Sequence, residues 1–378
     1  MDMKNRCVLF APIVVGVLFA AVACRAVEIP GCPDAPPDMN LVGLGDWDSK
    51  FHLIRSSADG SEQPLYAVFP EGEEPVPLLV GLHSWSLSCR ASIPAVGMRA
   101  YCETNRWAFV YPNCRGPNNR PEACGSDLAV ADMMDAIAWA KAQRAIDASR
   151  IYLIGSSGGG YLSLLVAARH PETFTAVAAF CPITDLARWH AESRRLEQGY
   201  YKMLEACCGG TPDACAAEYA ARSPVWFLPN ARKDGPVFYI AAGIHDGHRT
   251  QTVPAGHSVR AFNALADAKD RFTEDQIAAI EAREAAPYGL EFKGVDPLYP
   301  PERRVHLRRT SGRVRLTLFE GGHNTVAPAG YDFVRRQRRG QAPDWTLPEA
   351  SASAGMDTGS TAGTPSLRRA GTAEAITK

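Results

Sequence analysis

The sequence has almost no net charge. Its 40 Lys and Arg residues face 41 Asp and Glu, a formal charge of −1, so nothing attracts it to nucleic acid or an anionic membrane surface as a partner. It lacks the common metal-ligand spacings: no Cys-x-x-Cys pair and no His-Glu-x-x-His occurs, and no metal or other cofactor is expected. Long apolar runs are missing too, except for one at the start of the chain. From Pro348 onward the Ala/Ser/Thr/Gly-rich sequence has no hydrophobic period, which predicts a disordered tail over 348–378.

The exceptional apolar run, Cys7 to Ala23, follows Lys4 and Arg6 and ends in small residues. That pattern predicts a signal peptide within 1–26, cleaved after Ala23 or Ala26, and therefore an exported protein with no membrane span in its mature form. Cys24 directly after Ala21-Val22-Ala23 admits a lipid anchor at that thiol. Residues 27–50, rich in Pro and Gly, read as a linker. Export makes the eleven cysteines candidates for disulfides. Removing Cys7 and Cys24 leaves nine, an odd number, and the pairs weighed are Cys114 with Cys124, Cys207 or Cys208 with Cys215, and Cys89 with Cys102. Cys181, after an apolar run, reads as core.

What the chain does have is a strand running into a tight glycine-rich turn. Ile151-Tyr152-Leu153-Ile154 leads into Gly155-Ser156-Ser157-Gly158-Gly159-Gly160, followed by a helical pattern. Gly-x-Ser-x-Gly in that context is the form of a nucleophile elbow. The turn residue is strained and exposed, and its neighbours two positions either side must be small. Gly155 and Gly159 fill those positions, which places Ser157 at the tip.

A serine hydroxyl needs a histidine to take its proton and a carboxylate to orient that histidine. In an α/β-hydrolase both follow the serine, acid first, each beyond the end of a parallel strand. Pro236-Val237-Phe238-Tyr239-Ile240-Ala241-Ala242 reads as one such strand and leads to Gly243-Ile244-His245-Asp246-Gly247. Val314-Arg315-Leu316-Thr317-Leu318-Phe319 reads as the last, and leads to Glu320-Gly321-Gly322-His323-Asn324. Asp246 and His323 are the candidate acid and base; Asp185, after the strand-like 175–180 segment, is the rival acid. The other eight histidines come too early in the chain. An oxyanion hole needs two donors: the Gly158 amide, and the Trp85 amide (Ser84 as alternative) after Pro77-Leu78-Leu79-Val80-Gly81-Leu82. His83 reads as a brace for that loop.

Five motifs together, Leu82-His83-Ser84-Trp85, Asn113-Cys114-Arg115-Gly116, Gly155 through Tyr161, Gly243 through Gly247 and Phe319 through His323, resemble the catalytic domain of the prolyl oligopeptidase family. The likeness spans roughly 51–337. It implies an α/β-hydrolase fold, with a mostly parallel central sheet, helices on both faces and a small helical cap, and a Ser157–Asp246–His323 mechanism. It favours a serine peptidase over a carboxylesterase acting on acylated polysaccharide or other esters. The partner implied is a small peptide or ester substrate. Family members carry a β-propeller that gates the site, and no propeller repeat is visible before Phe51.

The rest organises around this plan. An opening hairpin turns at Asp59-Gly60, and 127–144 is an amphipathic helix. Residues 51–347 form one catalytic domain, and 186–232, helical and cysteine-bearing, is a candidate lid with Trp189, Tyr200 and Tyr201 as substrate-facing candidates. The 265–312 stretch is an insertion of unassigned purpose, with a helix near 272–281 capped by Thr273. The arginines at 303, 304, 308 and 309 read as solvated surface. The rival to catalysis is a non-catalytic binding protein on a hydrolase scaffold.

Overall fold

A computed structural model of the chain describes residues 50–90, 93–248 and 252–349. The signal-peptide, linker and tail expectations, and Cys24 with them, lie outside these residues. The architecture is a nine-stranded sheet in the order β1-β2-β4-β3-β5-β6-β7-β9-β8, an α/β-hydrolase fold. Strands β1 (Phe51–Arg55) and β2 (Glu62–Val68) form the opening antiparallel hairpin, and β2 also pairs antiparallel with β4 (Ala108–Pro112). From β4 the sheet runs parallel through β3 (Val76–Leu82), β5 (Ile146–Ser156), β6 (Ala176–Phe180), β7 (Val237–Gly243) and β9 (Val314–Phe319).

These strands read as near-continuous apolar runs because both faces of the sheet are covered. Successive side chains divide between two cores. Leu78, Val80, Ile151 and Leu153 enter one; Leu79, Tyr152 and Ile154 enter the other. The first core packs under α2 (Asp127–Gln143) and α3 (Gly158–Arg169), the second under α1 (Ile93–Asn105) and α9 (Ala327–Arg336). Each fully buried Leu, Ile or Val contributes about 1.5–3 kcal/mol. Between β6 and β7 the chain inserts α4 (Leu186–Arg195), α5 (Tyr200–Cys208) and α6 (Ala216–Arg222), the segment expected as a lid. Among the described residues no helix is long and apolar enough to cross a membrane.

Two sequence expectations need correcting. None of the eight described cysteines is in a disulfide, so none of the three weighed pairs is formed. The insertion contains α7 (Gly256–Leu265) at its entrance, then α8 (Glu274–Arg283), and an unforeseen strand, β8 (Val305–Ser311), paired antiparallel with β9. Charge hid this strand. Arg308 is not solvated surface: its side chain is 7% exposed and ion-paired at 2.5 Å with Asp296, itself 2% exposed. The guanidinium lies over the rings of Phe292 and Tyr299. A paired guanidinium stacked on aromatic faces tolerates burial that a lone cation would not. The α8 cap is as expected, a capping box between Thr273 and Gln276.

Candidate active site

Ser157 stands between β5 and α3 with φ 58° and ψ −122°. A non-glycine residue there is strained, and its surroundings hold it in place. The Ser157 N–H donates to Phe180 O at 2.8 Å, and the Tyr161 N–H donates to Ser157 O at 2.8 Å. The glycines are required by contact. A Cβ on Gly155 would lie 2.3 Å from the Gly159 carbonyl, and one on Gly159 would lie 2.3 Å from Leu82 O. Nothing larger than hydrogen fits at either position.

Asp246 lies in the turn after β7 and is 1% exposed. Its Oδ1 accepts from the amides of Gly247 at 2.9 Å and Val253 at 3.2 Å. Its Oδ2 is 2.7 Å from His323 Nδ1, so His323 donates from Nδ1. The turn bearing the acid and the loop bearing the histidine pack backbone against backbone: a Cβ on Gly243 would lie 2.1 Å from Gly322 O. The His245 N–H donates to Gly321 O at 2.9 Å and closes the two loops together. Asp185 is placed elsewhere in function; it caps α4, accepting from the Arg188 amide at 3.1 Å.

The loop after β3 meets the elbow. A Cβ on Gly158 would lie 2.4 Å from Trp85 N and 2.5 Å from Trp85 Cα. The two backbones named as oxyanion donors are therefore in contact beside Ser157. Gly158 opens α3, so its N–H has no carbonyl one turn earlier inside the helix. Trp85 O accepts from Asn118 N at 3.0 Å and Asn118 Nδ2 at 3.2 Å. His83 braces the same loop, with Nε2 2.7 Å from Asn113 O and Nδ1 3.0 Å from Ser84 O. Burial lowers the His83 pKa, and with both ring nitrogens on backbone carbonyls its role is structural.

Parts of the chain are similar to known proteins. Residues 108–279 match the model of the prolyl oligopeptidase family. A poly(3-hydroxyalkanoate) depolymerase C from Paucimonas lemoignei is 30% identical over 114 residues, 27% of each chain. A feruloyl esterase B from Neurospora crassa is 28% identical over 127 residues, 31% of this chain and 42% of that one. The acylaminoacyl peptidase of Pyrococcus horikoshii aligns over 57% of this chain and 34% of its own, at 18% identity and TM-score 0.46. The chain thus spans less than half the length of each of these relatives.

The family segment contains Ser157, Gly158 and Asp246; Trp85 and His323 flank it. It also contains a residue that sequence reasoning set aside. Cys181 follows β6 directly, with φ 45°, and is 1% exposed. Its Sγ donates to Asn324 O at 3.4 Å. Burial, then the Asp246 charge, raises its pKa well above the ordinary thiol value, so it is a neutral donor against the acid–histidine pair. Its position at the end of a parallel strand, beside the other two strand ends, was the available signal.

Among the described residues, Cys181, Asp246 and His323 form the group whose ligand atoms lie close enough together, within 4.8 Å, to hold a cation. His323 Nδ1 and the Asp246 carboxylate are already bonded to each other, so a cation held through Nδ1 would have to displace the hydrogen bond that orients His323. The aromatics of the 186–232 segment are mostly packing. Trp189 is 1% exposed, meets Trp85 edge-on at 4.7 Å, stacks on Tyr200 at 4.8 Å, and donates to Thr252 O at 3.0 Å. Tyr200 and Tyr201 are half-buried.

Proposed function

We propose that the protein is a serine hydrolase that cleaves carboxylic acyl bonds through an acyl-enzyme at Ser157. The observation that carries this reading is that the strained Ser157, with the abutting Gly158 and Trp85 backbones, and the hydrogen-bonded Asp246–His323 pair all follow the C-terminal ends of parallel strands at one edge of the sheet. Asp246 holds the His323 Nδ1 proton and leaves Nε2 to accept the proton of Ser157 Oγ as that oxygen attacks the acyl carbon. The Gly158 and Trp85 amides donate to the oxyanion, and the imidazolium formed on His323 is stabilised by Asp246. The same histidine gives its proton to the leaving group. It then deprotonates a water, which releases the acyl group and restores Ser157.

For the bond cleaved, carboxylic ester is the first reading, because the two sequence relatives are named as an esterase and a polyester depolymerase. Peptide is the second, favoured by the family model. The apolar run after Lys4 and Arg6 supports an exported enzyme. The test is initial rates on p-nitrophenyl acetate, methyl ferulate and a 3-hydroxybutyrate oligomer, beside aminoacyl and X-Pro nitroanilides. Ester turnover lost in both Ser157→Ala and His323→Ala supports the first reading. Nitroanilide turnover lost in both establishes the second. Activity surviving Ser157→Ala contradicts the mechanism.

A further inference from the structure

The insertion between the acid turn and the last strand has no part in the chemistry described above, yet it reaches both catalytic loops. His245, one residue before Asp246, has carboxylates on both ring nitrogens. Nδ1 is hydrogen-bonded to Glu284 Oε2, and Nε2 lies 2.6 Å from Glu320 Oε1. An ionised carboxylate only accepts, so both nitrogens carry protons and the ring is an imidazolium between two anions. The second oxygen of Glu320 accepts from His306 Nε2 at 2.8 Å. Glu320 follows β9 directly and stands three residues before His323. Glu284 is the left-handed residue ending α8, at φ 50°, and His306 lies on β8. Arg303, just before β8, donates to Asn324 Oδ1 at 2.7 Å.

Three links thus run from the insertion to the loops that carry Asp246 and His323. The partners are sheltered: His245 is 12%, His306 18%, Glu284 24% and Glu320 34% exposed at the side chain. Charge-assisted bonds at that depth are firmer than surface ion pairs. The His306 and His245 N–H groups hold the Glu320 carboxyl below its ordinary pKa. We infer that His245, Glu284 and Glu320 are positioning residues, and that the insertion exists to clamp the acid turn to the histidine loop. The clamp fixes the separation of Asp246 from His323 without touching substrate. This rests on the triad reading above.

The test pairs turnover with a readout that needs none. His245→Gln leaves two carboxylates facing one neutral amide, and kcat should fall about ten- to hundredfold, since small misplacements of reacting groups cost that much. KM should stay within about twofold, because binding is not altered. His245→Gln/Glu284→Gln removes the surplus negative charge and should recover part of kcat, a rescue that generic destabilisation would not give. Glu320→Gln provides a second single variant should His245→Gln not fold. Amide hydrogen exchange in 243–247 and 320–324 should quicken in each single variant, read on the Ile244 and His245 amides that donate to Phe319 O and Gly321 O. Unchanged exchange there, or kcat within about twofold of wild type in both single variants, overturns the clamp. If the wild type turns over no substrate, the triad reading fails, and the exchange result still decides whether the clamp exists.

Discussion

The two halves of the candidate site are held by different forces. On the β3–β5 side, the Trp85 loop is fixed by neutral, buried hydrogen bonds. Asn118 serves Trp85 O, the Cys124 amide donates to Asn118 Oδ1 at 2.7 Å, and the Cys89 amide donates to Asn113 Oδ1 at 3.1 Å. With them stands one buried cation, Arg115, 8% exposed and ion-paired with Asp132 (2% exposed) and with Asp59 (34% exposed). On the β7–β9 side, the loops are tied by half-buried polar and charged side chains: His245, Glu284, Glu320, His306 and Arg303. An oxyanion hole works by donors that are already in place, and neutral buried bonds keep their strength whatever the salt. In the mechanism proposed, the acid–base half accommodates a charge that appears and disappears on His323. Its ionic supports respond to pH and ionic strength. The comparison teaches that one half is a fixed mould and the other a tuned one.

Variants can break or sharpen that contrast. Ser157→Ala and His323→Ala should each lower kcat by about 10⁴-fold or more, checked by initial rates on whichever substrate the wild type turns over. Gly158→Ala strikes the mould, since its Cβ would lie 2.4 Å from Trp85 N. A loss of about 10²–10³ in kcat is expected, the cost of one oxyanion donor, with little change with salt. Arg115→Ala leaves Asp132 buried without its cation and should destabilise by about 3–5 kcal/mol, read as a lower denaturant midpoint. Asp185→Ala removes a helix cap and nothing else. It should cost about 1 kcal/mol and leave kcat within about twofold, whereas a rival acid would show a catalytic collapse.

The smallest effect belongs to the tuned half. Because His306 and His245 depress the Glu320 pKa, its contribution to stability is full above the ordinary carboxylate range. It is lost as pH falls through the depressed value. Glu320→Gln should therefore be less stable than wild type at neutral pH, and the two should converge in acid. A gap that persists in acid would show that the carboxylate charge is not what matters there.

The mould was legible in the sequence and the tuning was not. Gly155 and Gly159 are dictated by contacts under 2.5 Å, a local steric demand that leaves its mark at fixed spacing. The hydrogen-bonded pairing of Asp246 with His323 could be anticipated from chain order because parallel strands bring their ends together. β8 was missed because Arg308 and Arg309 break its apolar alternation, and only the Asp296 carboxylate and the aromatic rings around Arg308 make its burial tolerable. Cys181 reads as core from its strand alone; its second neighbour, Asn324, is far away in the chain. His245 was passed over for the same reason, since its partners Glu284 and Glu320 come from two other elements. The weighed disulfides failed because cysteines close in sequence are not thereby paired in space.

The central claim is that Ser157 is a nucleophile activated by His323. Its most direct test is labelling with a fluorophosphonate, followed by peptide mass mapping of the wild type and His323→Ala. The account predicts a phosphonyl adduct on Ser157 of the wild type, formed at least about a hundredfold faster than in the variant. An unlabelled Ser157, or equal labelling in both proteins, would contradict it.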